Sequence, residues 1–254
     1  ASIKDLDLKN LSQINSEIIG TVTDIFVYDT SKDSDGGAWR YRTQQTSWYN
    51  EKLGTDTRGT RKEFPAVAVI STDGPSIFIH DGDDPNLPLW MKFTIPSYSP
   101  GGNWQYETAG IAHASFYSST SYACHMLNGQ LVVISEGSGY HIGWMINFIS
   151  EEMMDIVRYG GASHQFYRLQ GPISERNSTT AIKTVQRYGG SEPDPLIKGR
   201  VVGGSGQDVS MTVTPDAPID PDTGLPTPTI AIASQLGVTV IDKGKVKYLE
   251  PESA

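Results

Sequence analysis

Three aspartates in one short turn are the best candidates in the sequence for binding a metal ion. Asp81, Asp83 and Asp84 surround Gly82, and carboxylates two residues apart around a glycine can converge on a hard cation such as Ca²⁺. The segment lacks the other ligands of an EF-hand loop, in particular the late glutamate. Aspartate and glycine are also the residues that the backbone of a solvated hairpin turn requires. We therefore expect a hairpin turn here, with a calcium site as the less favoured hypothesis and no other cofactor.

Two tryptophans in polar, loop-like stretches are candidates for contact with sugars. Trp48 and Trp104 carry flat rings of the kind that stack on the apolar faces of pyranoses. The alternative is burial, because large aromatic side chains dominate the cores of folded domains. Burial is the favoured structural prediction, and a carbohydrate-binding module that uses Trp48 and Trp104 is an alternative function.

The residues that nucleophilic or acid–base catalysis needs do not form a recognisable motif. Residues 203–206 read Gly-Gly-Ser-Gly, which misses the spacing of the Gly-x-Ser-x-Gly turn of hydrolases by one residue. His113, His125 and His141 lie in one third of the chain, where a metal site or an acid–base pair is conceivable. The apolar neighbours of His113 and His125 favour buried, hydrogen-bonded imidazoles instead. The sequence therefore predicts a protein that is not an enzyme.

The acidic residues leave one enzymatic alternative open. A propeller hydrolase or lyase that cleaves polysaccharide could use Asp81, Asp83 or Glu136. Such chemistry needs two carboxyl groups about 5–10 Å apart across a cleft. The distances between these carboxyl groups decide between this activity and a purely structural role.

The composition disfavours nucleic acids and membranes as partners. Among 254 residues, 29 are acidic and 20 are basic, which gives a net charge of −9, and the longest basic run is Arg61-Lys62. Binding to phosphates requires a basic face, so we expect no nucleic-acid partner. The longest apolar runs fall far short of the ~20 residues that span a bilayer, so we expect no membrane insertion. The single cysteine, Cys124, can form no internal disulfide and is expected in the core.

Short β-strands are the elements expected to position these residues. The 26 glycines and 15 prolines are typical of many short strands joined by turns. Residues 65–71 and 228–234 share a pattern of proline, apolar residues and serine, and each is followed by a glycine turn and an alternating strand. A weaker third copy starts near residue 128. The repeat predicts an all-β fold, a β-propeller-like arrangement of antiparallel blades, about five in number and some of them degenerate.

Four segments depart from the repeated pattern. Residues 150–161 combine a serine cap, acidic residues in a first turn and glycines at the end, which predicts a short helix inserted between strands. Residues 24–42 are expected to form a hairpin, and residues 214–228, with five prolines, a stiff exposed loop. Residues 1–15 are expected to be an N-terminal arm that docks on its own domain or a neighbouring subunit. Residues 16–254 then form the propeller-like domain.

The first hundred residues resemble a family of uncharacterised proteins from marine tailed bacteriophages. Five motifs carry the resemblance: DIFVYDT at 24–30, DSDGGAWR at 33–40, TSWYN at 46–50, TRGTRKEFPAVA at 57–68 and DGDDPNLPLWM at 81–91. Members of that family look like large virion proteins of the tail or tail fibre, in which a propeller-like module precedes other domains. The family carries no catalytic motif that can be transferred to this sequence.

The resemblance implies a non-enzymatic structural component of a tailed-phage virion, associated with the tail or tail fibre. Its expected role is assembly of the particle or attachment to the host surface. Its expected location is the viral particle, after synthesis in the host cytoplasm. The implied partners are other virion proteins, further copies of the chain in a homo-oligomer, and a host surface glycan. A carbohydrate-binding module, or an enzyme that degrades host polysaccharide, remains the alternative.

Overall fold

The structure is a computed structural model that describes residues 22–73, 76–94, 121–135, 141–158, 164–170, 172–177, 183–188, 206–235 and 237–249. The predicted N-terminal arm, residues 1–15, lies outside these ranges, as do Trp104, His113, Glu136, Ser205 and the side chain of His141. Within the described ranges the chain forms fourteen strands and only short helices, so the prediction of an all-β fold is confirmed. None of the described helices is long and apolar enough to cross a membrane.

The strands form three antiparallel sheets, and within each sheet every strand pairs with the next one along the chain. Sheet 1 contains β1 (Asp24–Asp29), β2 (Val67–Thr72), β3 (Ser76–Asp81) and β4 (Leu89–Thr94). Sheet 2 contains β5 (Ser121–Leu127), β6 (Gln130–Ser135), β7 (His141–Asn147), β8 (Met153–Arg158), β9 (His164–Gln170) and β10 (Lys183–Tyr188). Sheet 3 contains β11 (Gly206–Thr212), β12 (Thr229–Ser234), β13 (Gly237–Asp242) and β14 (Lys245–Leu249).

The described helices lie in two connections. Between β1 and β2 are the 3₁₀ helices Thr30–Lys32 and Ala38–Arg42 and the single α-helical turn α1 (Ser47–Asn50). A third 3₁₀ helix, Ile173–Glu175, follows β9. The first of these connections packs Trp39 and Trp48 against sheets 1 and 2, and both side chains are 0% exposed.

The three copies of the sequence repeat occupy equivalent places in the three sheets. β2, β6 and β12 are each the second strand of a sheet and pair with the strand before and the strand after. Asn128 and Gly129 form the turn before β6, with φ angles of 51° and 73°. Positive φ at both positions is what the tight turn of a two-residue hairpin requires. The equivalence predicted from the repeat is therefore confirmed.

Sheet 2 lies between sheets 1 and 3, with a separate apolar core on each face. Alternate residues of one strand point to opposite faces, and β6 shows this directly. Val133 belongs to the core shared with sheet 1, whereas Val132 and Ile134 belong to the core shared with sheet 3. The first core also holds Trp39, Trp48, Phe64, Trp90 and Phe148. Both faces of β6 are therefore largely removed from water.

The helix predicted for residues 150–161 is wrong, because this segment contains β8. Met153 faces the core with sheet 1 and Met154 the core with sheet 3, an alternation that only a strand can produce. The acidic residue Glu151, at φ 59°, lies in the turn before β8, where its carboxylate accepts hydrogen bonds from the N–H and hydroxyl of Ser47. Glu151, which suggested the start of a local helix, thus accepts hydrogen bonds from the first residue of α1, over 100 residues away in sequence.

The hairpin predicted for residues 24–42 is also wrong. β1 pairs with β2, and the expected returning strand is the 3₁₀ helix Ala38–Arg42. Gly36 and Gly37 both have positive φ, 64° and 82°, and the N–H of Arg40 donates to Gly37. Successive tight turns therefore coil the chain, whereas a hairpin would have required an extended returning strand. Such a strand is not needed, because β2 already pairs with β1.

Candidate functional site

The acidic turn predicted from the sequence is present, and an arginine lies at its centre. Arg61 donates to Asp81 at 2.8 Å and to Asp83 at 2.6 Å, while Asp84 accepts a local backbone N–H. A metal ion bound to these carboxylates would have to displace the guanidinium. Among the residues that the structure describes, no group of three or more His, Cys, Asp or Glu side chains is placed to hold a metal ion. The geometry favours the hairpin turn over the calcium site.

Asp83 is the most constrained carboxylate of this turn. Its oxygens accept hydrogen bonds from the N–H groups of Ala66 and Val67, at 2.8 and 3.0 Å, and from Arg61. Burial by itself raises the pKa of Asp83, but these three donors outweigh burial and hold the pKa below its ordinary value. Ionised Asp83 therefore joins the start of β2 to the turn after β3.

Replacement of Asp83 by asparagine should lower the free energy of unfolding by about 1–2 kcal/mol at neutral pH, because a charged acceptor of three donors is lost. A pKa lowered in the folded state means that this contribution is present above about pH 4 and is lost as the pH falls through the folded pKa. Urea unfolding at about pH 6 and about pH 3 measures the difference from the wild type, which should shrink at the lower pH. Asp84→Asn is the matched control. A loss of unfolding free energy that is equal at both pH values contradicts the prediction.

Trp48 belongs to the core and has no surface that a sugar could reach. Its side chain is 0% exposed, and the indole N–H donates to the carbonyl of Phe148 at 2.9 Å. The ring meets Trp90 and Phe148 edge to face, with centroids 5.5 and 6.1 Å away. The favoured prediction, burial, holds for Trp48, and the glycan-contact role does not fit this geometry. The other candidate, Trp104, lies outside the described residues.

Strand β5 carries a cysteine and a histidine where the first strands of the three sheets come together. Cys124 is buried, as predicted, and burial raises the pKa of its thiol. Its N–H donates to the carboxylate of Asp24 on β1 at 2.8 Å. His125 packs on Phe26, with ring centroids 4.6 Å apart. Burial lowers the pKa of His125, and a hydrogen bond with the backbone of Val209 on β11 offsets only part of this effect. These contacts join β5 to β1 and to β11, which belong to the other two sheets.

A buried carboxylate, Asp33, joins parts of all three sheets. One oxygen accepts from the hydroxyl of Tyr28 and from the indole N–H of Trp39, and the other accepts from the N–H of Asn128 at 2.8 Å. The side chain of Asn128 also donates to the carbonyl of Pro226 at 2.8 Å. Burial raises the pKa of Asp33, and burial together with Asp33 raises that of Tyr28. We call these residues the Asp33 network.

A second buried group, the Glu51 network, places one carboxylate between two arginines. Arg58 and Arg176 are 1% and 2% exposed, and each contacts Glu51, at 2.9 and 2.8 Å. The guanidinium groups also donate to backbone carbonyls, among them those of Trp90 and Lys92. Burial lowers the pKa of Arg58 to about 10 and lowers that of Arg176 as well. The network fastens the long connection after β1 to β4 and to the segment after β9.

A cavity of about 360 Å³ opens between sheets 2 and 3 at one end of their strands. Its floor is apolar and consists of Met145 and Met154 from sheet 2 and of Ile230 and Ile241 from sheet 3. The proline-rich connection between β11 and β12 forms its outer wall. We call this cavity the inter-sheet cleft. Ligand sites typically measure ~300–1,000 Å³, so the cleft suits a small ligand or one side chain of a partner.

Comparison of the chain with family models, curated proteins and solved structures finds no match. The candidate site is therefore argued from geometry and charge. Sequence reasoning found the acidic turn but missed the Asp33 network, the Glu51 network and the inter-sheet cleft. The only sequence signals for them were the Asn-Gly turn at Asn128 and the run of prolines that forms the cleft wall.

Proposed function

We propose that this chain is a non-enzymatic structural component of a tailed-phage virion, associated with the tail or tail fibre. The virion part of the proposal rests on the five sequence motifs at 24–91, and the observation that carries its non-enzymatic part is the use of the buried and half-buried carboxylates as joints between segments. Asp33, Glu51, Asp83 and Glu151 each accept hydrogen bonds from two or more groups elsewhere in the chain. A carboxylate held by fixed donors fastens its segments together and is not free to transfer protons to a substrate.

The arrangement of the sheets supports a propeller-like module as the form of this component. Sheets 1, 2 and 3 are consecutive antiparallel meanders, and sheet 2 packs face to face on both of the others. The first strands β1 and β11 both lie beside β5. Consecutive blades of a propeller pack in this way, with their first strands nearest a common axis. We infer that sheet 1, the first four strands of sheet 2 (β5–β8) and sheet 3 are three such blades.

Sugar binding and polysaccharide cleavage receive no support from the described residues. The inter-sheet cleft has no aromatic side chain among the residues that line it, whereas sugar sites rely on flat rings. Asp81 and Asp83, the acids considered for cleavage, share one arginine. Attachment to a host surface and assembly with other virion proteins or further copies of this chain remain parts of the proposal.

Purified particles of the phage that encodes the chain provide the test. Mass spectrometry of those particles should detect this polypeptide among the virion proteins, and cryo-electron microscopy should show its sheets arranged radially in the tail or fibre. Absence of the polypeptide from mature particles overturns the virion proposal. Density in which the three sheets do not surround a common axis overturns the propeller-like arrangement and leaves the virion role intact.

A further inference from the structure

The inter-sheet cleft begins where polar side chains replace the apolar contacts between sheets 2 and 3. Val132 of β6 and Met145 of β7 face sheet 3 in the apolar core. Two residues further along each strand, on the same face, are Gln130 and Asn147, which lie directly opposite each other in the ladder. Both are half-buried and line the cleft. The closed core thus ends in a polar wall.

These two amides keep hydrogen-bonding capacity available to a ligand. The side chain of Gln130 makes no hydrogen bond with any residue of the described ranges. Asn147 uses its oxygen to accept the N–H groups of Ile149 and Ser150, at 2.9 and 3.1 Å. One oxygen and two NH₂ groups are therefore free to pair with the N–H and C=O groups of a bound peptide unit.

The charges around the cleft are mainly negative. Glu152, Asp220 and Asp222 line it, against one basic residue, Lys243. Lys243 already forms an ion pair with Asp216, so it neutralises neither Asp220 nor Asp222 directly. An anionic ligand would be repelled and a cationic group attracted. The cleft therefore selects for positive charge, as does the net charge of −9 of the whole chain.

The outer wall is rich in proline and is already in place. Four of its lining residues are prolines, at positions 218, 221, 226 and 228, and proline carries a backbone carbonyl but no N–H. The wall is anchored because Leu225 enters the first core cluster and the carbonyl of Pro226 accepts from Asn128. The stiffness of this wall reduces the entropy cost of binding.

We propose that the inter-sheet cleft binds a lysine or arginine side chain presented by a short peptide segment of a partner protein. The aliphatic stem lies on the floor of Met145, Met154, Ile230 and Ile241, and the cationic head lies beside the acids of the rim. The free amides of the polar wall pair with the peptide backbone. Flexible methionines let the floor adapt to either stem. The inference goes beyond the proposed function and applies to a partner inside or outside a virion.

Methionine methyl resonances provide a direct test, because the chain has 6 methionines and two of them form the floor. The probe is the peptide acetyl-Leu-Lys-Leu-amide, with acetyl-Leu-Gln-Leu-amide and acetyl-Leu-Glu-Leu-amide as neutral and acidic counterparts. We expect the lysine peptide to shift the methyl signals of Met145 and Met154 saturably. The signals of Met91, Met126 and Met153, which lie in the other core, should not move. Added salt should weaken the binding.

Charge variants separate the cleft from general attraction to an acidic protein. Asp220→Asn with Asp222→Asn should weaken binding of the lysine peptide about fivefold. The matched control is Asp84→Asn with Asp56→Asn, which removes the same charge away from the cleft and should leave binding unchanged. Equal effects of the two pairs, equal or tighter binding of the glutamate peptide, or no shift at millimolar lysine peptide would each overturn the proposal. Hexylamine that binds as tightly as the peptide would overturn the assignment to a polypeptide.

Discussion

Replacement of Glu51 by glutamine is expected to lower the free energy of unfolding by about 3 kcal/mol, because it leaves two buried cations without a counter-charge. Glu51 contacts Arg58 at 2.9 Å and Arg176 at 2.8 Å. Glutamine has a single acceptor oxygen, and its NH₂ group would face the N–H groups of one guanidinium. The carbonyls that hold both arginines supply partial charge only, so they cannot replace the carboxylate.

Urea unfolding followed by tryptophan fluorescence measures this loss. Glu175→Gln is the matched control, since Glu175 is exposed and close to Arg176 in sequence, and it should change stability by less than about 0.5 kcal/mol. A loss below about 1 kcal/mol for Glu51→Gln would show that the carbonyls suffice. The double variant Arg58→Met with Arg176→Met, in the Glu51→Gln background, should recover part of the loss, because no charge then remains within the Glu51 network.

Replacement of Asp33 by asparagine is expected to cost about 2–3 kcal/mol, because the amide cannot accept from all three donors. The Asp33 carboxylate accepts from the indole of Trp39 at 2.7 Å and from the N–H of Asn128 at 2.8 Å, on different oxygens. Both donors are N–H groups, which cannot accept a hydrogen bond from the NH₂ group of an asparagine. One orientation of the asparagine turns its NH₂ toward the indole, and the other turns it toward the backbone N–H, so a buried donor is left unpaired either way.

Thermal and urea unfolding of Asp33→Asn are best compared with those of Asp35→Asn. Asp35 is two residues away and forms a surface ion pair with Arg42 at 2.8 Å, so its replacement should cost no more than about 1 kcal/mol. The Asp33 variant should also loosen the proline-rich loop, because Asn128 links Asp33 to Pro226. Faster proteolysis within residues 214–228 would report this loosening. Equal stability of the two variants would refute the role given to the Asp33 network.

Local pattern was sufficient where a segment's structure depends on its nearest neighbours. The apolar residues of 65–71 and of 77–79 and the turn residues between them predicted β2 and β3, both of which are buried along their whole length. The same pattern predicted β12 and β13. The predictions failed where a residue that suggested a local structure instead contacts a distant part of the chain. Ser150 and Glu151 resemble a helix start, but Glu151 caps α1, and the extended residues after it complete sheet 2.

The residues of the candidate site were harder to predict, because charged groups are paired across the fold. Asp81 and Asp83 were visible as an acidic turn, yet the sequence did not show that Arg61 enters it from 20 and 22 residues away. Glu51 and Arg176 are 125 residues apart in sequence, and nothing near either residue indicates the other. Burial makes such pairing necessary, but the choice of partner depends on the tertiary structure.

The sequence by itself determined the class of the fold, through the period of its apolar residues and the placement of its glycines and prolines. Most of the predicted strands follow from apolar residues that run or alternate along them, and the turns between them from residues that accept unusual backbone angles. Only the tertiary structure decided that sheet 2 packs between the other two and that the sheets part at one end to leave the inter-sheet cleft. Those features depend on how twisted sheets fit face to face, which no single segment encodes.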